Sequence, residues 1–383
     1  MSPVTIPKQH KAAVYDKPGS VSTSVTMVDT PEPGFGQVLI NLWVPKIALF
    51  LLSSNTYSRT ITGSGLIQVS VTRTSWRALP FPTPEGQVGG HEGVGVVVKL
   101  GPGCDNAGIK EGDRVGVKWV ASVCGTCLPC LSGSDGLCLN GKISGYYTPG
   151  TFQQYVLGPA DYVTPIPDSV PSELAAPMLC AGVTVYAALK RSRAQPGDFV
   201  VISGAGGGLG HLATSIGSRG LGLRIIGVDH GSKEALVKEN GAEAFVDITC
   251  FPRDDDGCAI AKHVKDLTGG HGAHAVIVCT ASNGAYAQAV PMLRFNGSLV
   301  CVGIPEGDLV PIATASPAPM VFKQLSIQGS AVGNRRDALE VLDLVARGVI
   351  KPHVRTEKME KLKEVFEDMD KGLISGRVVI DLA

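Results

Sequence analysis

Few chemistries ask for four thiols within fifteen residues, and the spacing Cys124-x2-Cys127-x2-Cys130-x7-Cys138 points to a bound metal. Zinc takes four thiolates in a tetrahedron. Gly125, Pro129, Ser132, Gly133, Ser134 and Gly136, lying between the cysteines, let the backbone turn around the ion. Four thiolates leave no open coordination position, so this zinc is expected to be structural. Disulfide pairing is one alternative, and an iron–sulfur cluster is another whose usual spacings fit the x7 gap less well.

A second chemistry is carried by Gly204-Ala205-Gly206-Gly207-Gly208-Leu209-Gly210, which follows a predicted strand and opens a predicted helix. Glycines there let the backbone approach a pyrophosphate, whose charge rests on N–H groups at the positive helix end. That puts Gly207, Gly208, Leu209 and Gly210 at the cofactor. The register ending at Gly210 has Ala205 where the first glycine of GxGxxG belongs, and on the glycines alone a tight structural turn is the plain alternative. Asp229 ends the next predicted strand 19 residues after Gly210, where a carboxylate accepts from the adenosine ribose and repels a 2′-phosphate. NAD is therefore expected rather than NADP. His211, in the first turn of the helix, stands either near a phosphate or in ordinary helix-start solvent.

These groups need two kinds of scaffold. From Phe199 short apolar runs alternate with helical segments, which is the pattern of βαβ units. Strands are expected near 199–203, 224–228, 244–248, 275–279, 298–302 and 325–329. Before them 38–42, 93–100, 114–118 and 152–156 are separated by Gly/Pro-rich turns, as in an irregular all-β lobe. The tail, with Leu339, Leu342 and Val345 on one helical face and a last strand at 377–382, is expected to return to that lobe. A chain of 383 residues fits two domains or more at about 150 residues each.

Lys+Arg and Asp+Glu are equal at 34 each, so no imbalance of charge points to nucleic acid or an anionic membrane, and a small molecule is the expected partner. A nucleic-acid zinc knuckle would want a basic, aromatic-rich surrounding, which the quartet lacks. Met1 to Lys11 has neither a signal-type apolar core nor an Arg-rich amphipathic pattern, so the cytoplasm is the expected location. The longest uncharged apolar run, Ile47 to Leu52, is six residues against the roughly 20 that cross a bilayer. Cys104, Cys250, Cys258, Cys279 and Cys301 show no metal spacing and read as small buried apolar groups.

The quartet, preceded by Gly90-His91-Glu92-Gly93-Val94-Gly95 and followed by Gly150-Thr151-Phe152-Gln153-Gln154-Tyr155, resembles the zinc-dependent medium-chain alcohol dehydrogenases, particularly those of yeast and fungal type, over nearly the whole chain. The resemblance implies an α/β protein. A Rossmann doubly wound parallel sheet at 171–319 would bind NAD, and an irregular all-β, GroES-like catalytic domain at 1–170 and 320–383 would carry the four-cysteine zinc lobe. It implies reversible hydride transfer from a primary or secondary alcohol to NAD, giving aldehyde or ketone, by a homo-oligomer that is a tetramer. It also implies a second, catalytic zinc with three protein ligands and one open position. His91 and Cys180 match two of those ligands, Glu92 matches an adjacent or alternative one, and Lys233, Ser326 and Arg377 match cofactor-contacting positions. Read without the family, His91 is a core histidine, Cys180 a buried thiol, and the other three ordinary surface side chains.

One stretch departs from the family. Its Gly-Val-Cys-His-Ser/Thr-Asp segment, the source of the first catalytic ligand, is expected after 38–42, yet residues 43–74 hold no Cys, His, Asp or Glu, and the pattern resumes at Ser75-Trp76-Arg77. Three readings are open: a translated intron or frame shift, a decayed enzyme, or a divergent one holding zinc by His91, Glu92 and Cys180. The rival function is a catalytically inactive NAD-binding protein with only the structural zinc.

Overall fold

The computed structural model describes residues 5–16, 23–42, 84–252, 256–305 and 310–382, and the backbone of 48–51. Six parallel strands, β1 (Phe199–Ser203), β2 (Arg224–Asp229), β3 (Ala244–Asp247), β4 (Ala273–Val278), β5 (Leu293–Cys301) and β6 (Ser326–Gly329), lie in the order β3-β2-β1-β4-β5-β6. This is the doubly wound order, and its reversal between β1 and β4 opens a crevice at the carboxyl ends of the strands. β1 and β4 read as unbroken apolar runs because helices cover both faces of the sheet. On one face helices α1 (Ala181–Arg191), α2 (Gly210–Ser215) and α3 (Arg335–Ala346) bury Val185, Leu189, Leu212, Val341 and Val345 against Val200 and Ile202. On the other, Ile260, Val264, Tyr286 and Val290 pack on Val201 and Val276.

α3 starts at a reciprocal cap. Asn334 Oδ1 accepts from the Asp337 N–H at 2.8 Å, and Asp337 Oδ2 accepts from the Asn334 N–H at 3.0 Å. Two of the three apolar positions expected on one face of this helix, Leu342 and Val345, are buried and the third is not. Ala338, Val341, Leu342 and Val345 are buried, whereas Leu339 is 43% exposed. Because β6 pairs with β5 and α3 packs on α1, the cofactor unit does not end at 319. It runs on through α3, and the chain rejoins the lobe at the strand Val354–Lys358.

The lobe is an eight-stranded sheet. Its centre, Gly93–Leu100, pairs with Gln37–Asn41 and Arg114–Val117, and Gln37–Asn41 also pairs with Tyr155–Pro159. Alternate residues of these strands, Val38, Ile40, Val97, Val115 and Val156, meet Val378, Ile380 and Phe366 in one core. The last strand, Arg377–Asp381, does return to this sheet, parallel to Val354–Lys358 and antiparallel to Ala48–Leu51. Ala48–Leu51 falls inside residues 43–74, so part of that stretch is seated in the sheet; 43–47 and 52–83 lie outside the described residues. Among the described residues no single helix is long and apolar enough to cross a membrane.

Candidate functional site

The four cysteines converge as their spacing predicts. Their sulfurs all lie within 4.8 Å of one another, with Cys127 Sγ 3.4 Å from Cys130 Sγ and Cys138 Sγ 3.8 Å from Cys127 Sγ and 3.6 Å from Cys124 Sγ. Zinc at its usual distance of about 2.3 Å from each sulfur gives tetrahedron edges of about 3.8 Å, so the cluster fits that ion. These separations are far above the ~2.04 Å of a disulfide, and all four thiols are free. N–H groups of Thr126 and Cys127 hold the Cys124 thiol down at about 5, while burial and its thiol neighbours push Cys130 up to about 12. Four thiolates cannot share so small a space unaided, and a divalent cation offsets their repulsion. The loop is fastened to the rest of the molecule by Asp135, whose Oδ2 accepts from the Tyr162 hydroxyl at 2.7 Å, and by Asn334 Nδ2, which donates to the Gly133 carbonyl at 2.9 Å.

A second pocket is assembled from distant parts of the chain. Cys180 caps α1, and His91 lies just before the strand Gly93–Leu100. Gly90 has φ of +89°, and a Cβ on it would press on Thr151 Oγ1 at 2.7 Å and Phe152 Cδ1 at 2.8 Å, so the turn presenting His91 needs a glycine. Glu92 ties the two sides together. Its Oε1 accepts from the Ala181 N–H at 2.9 Å and from Arg377 Nη2 at 3.3 Å, with both charged side chains fully buried. Glu92 Oε2 is buried without a hydrogen-bond partner among the described residues. An orphaned carboxylate oxygen beside a histidine and a thiol suits a cation.

Burial, then the charge of Arg377, brings His91 down to about 3, so its imidazole is neutral with a lone pair to give. Burial raises Glu92 to about 8 against the pull of Arg377 and of the Ala181 and Cys180 N–H groups, and burial followed by Glu92 pushes the Cys180 thiol up. The His91 ring meets Trp119 edge-on at 4.6 Å, which walls one side of the pocket. Among the described residues His91, Glu92 and Cys180 are not drawn into a three-ligand cluster as the four cysteines are, so a metal at His91 and Cys180 would need a further ligand. The segment expected to supply that ligand lies outside the described residues, apart from the backbone of 48–51.

At the cofactor crevice the tight turn falls on Gly204, with φ of +80°, rather than on Ala205. Gly210 is needed for close packing, because a Cβ there would collide with the Gly204 carbonyl oxygen and Ala205 Cα. Gly207 and Gly208 lie between these two and lead, with Leu209, into α2, whose buried His211 donates from Nδ1 to the Gly207 carbonyl at 2.8 Å. His211 thus fastens the loop from inside rather than facing solvent. Asp229 is fixed across the loop: Oδ2 accepts from the Gly206 N–H at 2.7 Å and Oδ1 from the His230 N–H at 2.8 Å. Lys233 lies against the same loop, its stem so near that a Cβ on Gly206 would sit 2.6 Å from Lys233 Cβ.

Two expected cofactor residues are placed differently. Ser326 is the first residue of β6, level with Val200 in β1, so it sits at the amino end of a parallel sheet whose crevice is at the carboxyl end. The serine at the carboxyl edge is Ser330, just past Gly329, where its Oγ accepts from Arg191 Nη1 at 2.9 Å. Val332, two residues on, has φ of +34°, a strained conformation for a β-branched residue and a mark of a functional edge. Arg377 is not a surface side chain reaching for a ligand but the buried partner of Glu92; its charge also acts on His211, which places it between pocket and glycine loop.

Known proteins resemble this chain in sequence and in fold. Residues 60–168 match the model of the alcohol dehydrogenase GroES-like domain and 208–347 that of the zinc-binding dehydrogenase domain. Alcohol dehydrogenase 2 of Emericella nidulans is 60% identical over all of both chains, and an alcohol dehydrogenase of Schizosaccharomyces pombe is 38% identical over 99% of this chain and all of its own. Among solved structures, acetophenone reductase from Geotrichum candidum in complex with NAD superposes with a TM-score of 0.77 at 27% identity, covering 99% of each chain. An NAD-dependent alcohol dehydrogenase superposes with a TM-score of 0.80 at 27% identity, covering 97% of this chain and all of its own.

Proposed function

The chain belongs to the zinc-dependent medium-chain alcohol dehydrogenases of fungal type, an NAD-dependent enzyme family, and on that premise we propose which of its residues do the work. The observation that carries the reading is the junction at Glu92, which joins the turn of His91 to the helix start at Cys180 and leaves one carboxylate oxygen over. When bound, zinc supplies a Lewis acid that acidifies the alcohol hydroxyl, and NAD a hydride acceptor, so that a primary or secondary alcohol becomes an aldehyde or ketone.

His91 offers a neutral imidazole at physiological pH, and Cys180 would hold the ion as a thiolate. Glu92 holds both sides in register and has Oε2 to lend. Arg377 balances the buried charge of Glu92 and, lying towards the glycine loop, adds positive potential where a pyrophosphate rests. Asp229, clamped by two N–H groups, keeps lone pairs for the adenosine ribose, with Lys233 beside it and Gly207 to Gly210 giving the backbone room for the phosphates. Trp119 excludes water from one wall. Asp229→Ala is expected to relax cofactor choice toward NADP, read as the NAD to NADP ratio of kcat/KM; an unchanged ratio overturns the ribose assignment.

The enzyme is further proposed to be a homotetramer in the cytoplasm. Leu128, Leu131 and Leu139 on the zinc lobe are each about three-quarters exposed, and Phe322 is 86% exposed beside β6, an edge strand with one side unpaired in the single chain. Such patches and edges are usually covered. Light scattering of the purified protein gives the subunit number, and fractionation the compartment. Zinc analysis tests the active reading directly. Near two ions per chain with NAD-linked alcohol oxidation is expected, whereas one ion per chain with NAD bound and no turnover would favour the inactive alternative.

A further inference from the structure

We propose that Asp247 is a second determinant of cofactor choice, acting with Asp229 by occupying the turn on which a 2′-phosphate would rest. This rests on the NAD reading above and extends it to a residue on the neighbouring strand. β2 and β3 run parallel, and Asp229 and Asp247 face each other as their last registered pair. Adjacent strands lie about 4.8 Å apart, so the two carboxylates flank the turn that leaves β2.

That turn, His230 to Lys233, has the form of an anion nest: successive N–H groups at the start of a short helical turn, Gly231–Lys233. In this chain three of the four are already used. The His230 N–H donates to Asp229 Oδ1 at 2.8 Å, the Ser232 N–H to His230 Nδ1 at 3.3 Å, and the Lys233 N–H to the His230 carbonyl at 2.9 Å, while the Asp247 carboxylate lies over Gly231. Asp247 reaches the turn because residue 231 is glycine; a Cβ there would collide with Asp247 Oδ2. The carboxylate is held from its other side, where Oδ1 accepts from the Thr249 N–H at 2.9 Å and the Thr249 hydroxyl at 2.7 Å. Those bonds, the Thr249 N–H first, keep its carboxyl below the usual range and hence charged at neutral pH.

A phosphate carried on the ribose would therefore meet two fixed negative charges, one of them lying over Gly231, whereas a bare 2′-hydroxyl needs only an acceptor, which Asp229 supplies. Like charges set against the wrong ligand are an efficient means of discrimination. Asp229 alone does not cover Gly231, and Asp247 does.

The test is steady-state kinetics with NAD and NADP on Asp247→Asn, Asp229→Ala and the double variant. Asn keeps an oxygen for Thr249 and removes the charge. The ratio of kcat/KM for NADP over NAD is expected to rise about tenfold in Asp247→Asn, and by a further factor of about ten when that change is added to Asp229→Ala. Thr249→Val serves as the control for a purely structural cap, since it loosens the loop while leaving the charge; it is expected to lower the melting temperature without moving the ratio. A wild type that prefers NAD, with a ratio moved less than twofold by Asp247→Asn in both backgrounds, overturns the role of Asp247 alone. A wild type indifferent to the two cofactors overturns the NAD reading and this proposal with it.

Discussion

Cys124, Cys127, Cys130 and Cys138 lie in one surface loop of fifteen residues, whereas His91, Glu92, Cys180 and Arg377 are gathered from three separate parts of the chain into a buried pocket. The loop needs only its own turns to bring its thiols together, and its stability is tied to the ion it holds. The pocket is held by protein. The Glu92 to Arg377 pair and the Ala181 N–H fix its geometry, and the cost of burying those charges is offset by the fold around them. The quartet builds structure around its metal, whereas the proposed catalytic site is built by structure, so the same substitution should act in opposite ways at the two.

Cys180→Ser is the sharpest way to break that contrast. Loss of even an outer partner of a metal typically costs about 10–100-fold in affinity or activity, so loss of a thiolate ligand is expected to lower kcat by more than about 100-fold. Zinc content should fall from two to one per chain, with the melting temperature and subunit assembly kept. Cys127→Ser should do the reverse, because the ion there contributes folding free energy outright. Its expected signature is a melting temperature lower by about 10 °C or more, or loss of assembly, rather than a stable oligomer with reduced turnover. Calorimetry and zinc analysis on both variants read the comparison together, and matching profiles would abolish it.

Arg377→Met probes the pocket's own support. Above about pH 8, where Glu92 carries its charge, it leaves that carboxylate buried beside a thiol with no counter-charge, a change that costs about 3–5 kcal/mol in comparable buried pairs. Urea unfolding should show a loss of that order, and Arg377→Met combined with Glu92→Gln should recover most of it. No recovery in the double variant would mean that Arg377 acts through packing alone.

The contrast also explains what sequence could tell. Contiguous signals were legible: the quartet from its spacing, the glycine loop and Asp229 from the strand and helix around them, and five strands of the Rossmann sheet to within a few residues, because parallel buried strands are uninterrupted apolar runs. β5 starts five residues before the run that marked it, at Leu293, where Arg294, Asn296 and Gly297 interrupt the apolar pattern and hide its first half. What depended on register was not legible. Ser326 and Ser330 both lie near β6, and only the pairing of β6 with β5 says which one faces the crevice. The burial of Arg377 follows from the contact of the last strand with Glu92, 285 residues away, for which the local sequence carries no mark. On α3 Leu342 and Val345 are buried as expected, and only Leu339 was misplaced, because its neighbour Ala338, too small to stand out as an apolar signal, takes the buried position.

The smallest effect concerns how α1, which starts at Cys180, is anchored at its far end. Glu340 on α3 accepts from Lys190 Nζ at 2.8 Å, from the Tyr186 hydroxyl at 2.9 Å and from Arg336 Nε at 2.7 Å. These bonds, that of Lys190 first, hold its carboxyl down at about 2, below its ordinary value of 4.5. A carboxyl depressed on folding adds stability that is fully present above about 4.5 and is lost as pH falls through about 2. Both partners are partly exposed, so solvent screening limits the contribution to about 1 kcal/mol. Glu340→Gln is therefore expected to lower the unfolding free energy by about that amount at pH 7, with the gap from wild type closing as pH falls below about 3. Zinc in the lobe should be unaffected, since the loop's only tie to α3 is through Asn334 and Arg335 at its opposite end among the described residues. A variant that instead lost lobe zinc, or whose deficit persisted at pH 2, would show that the two sites share more of their support than their separate construction implies.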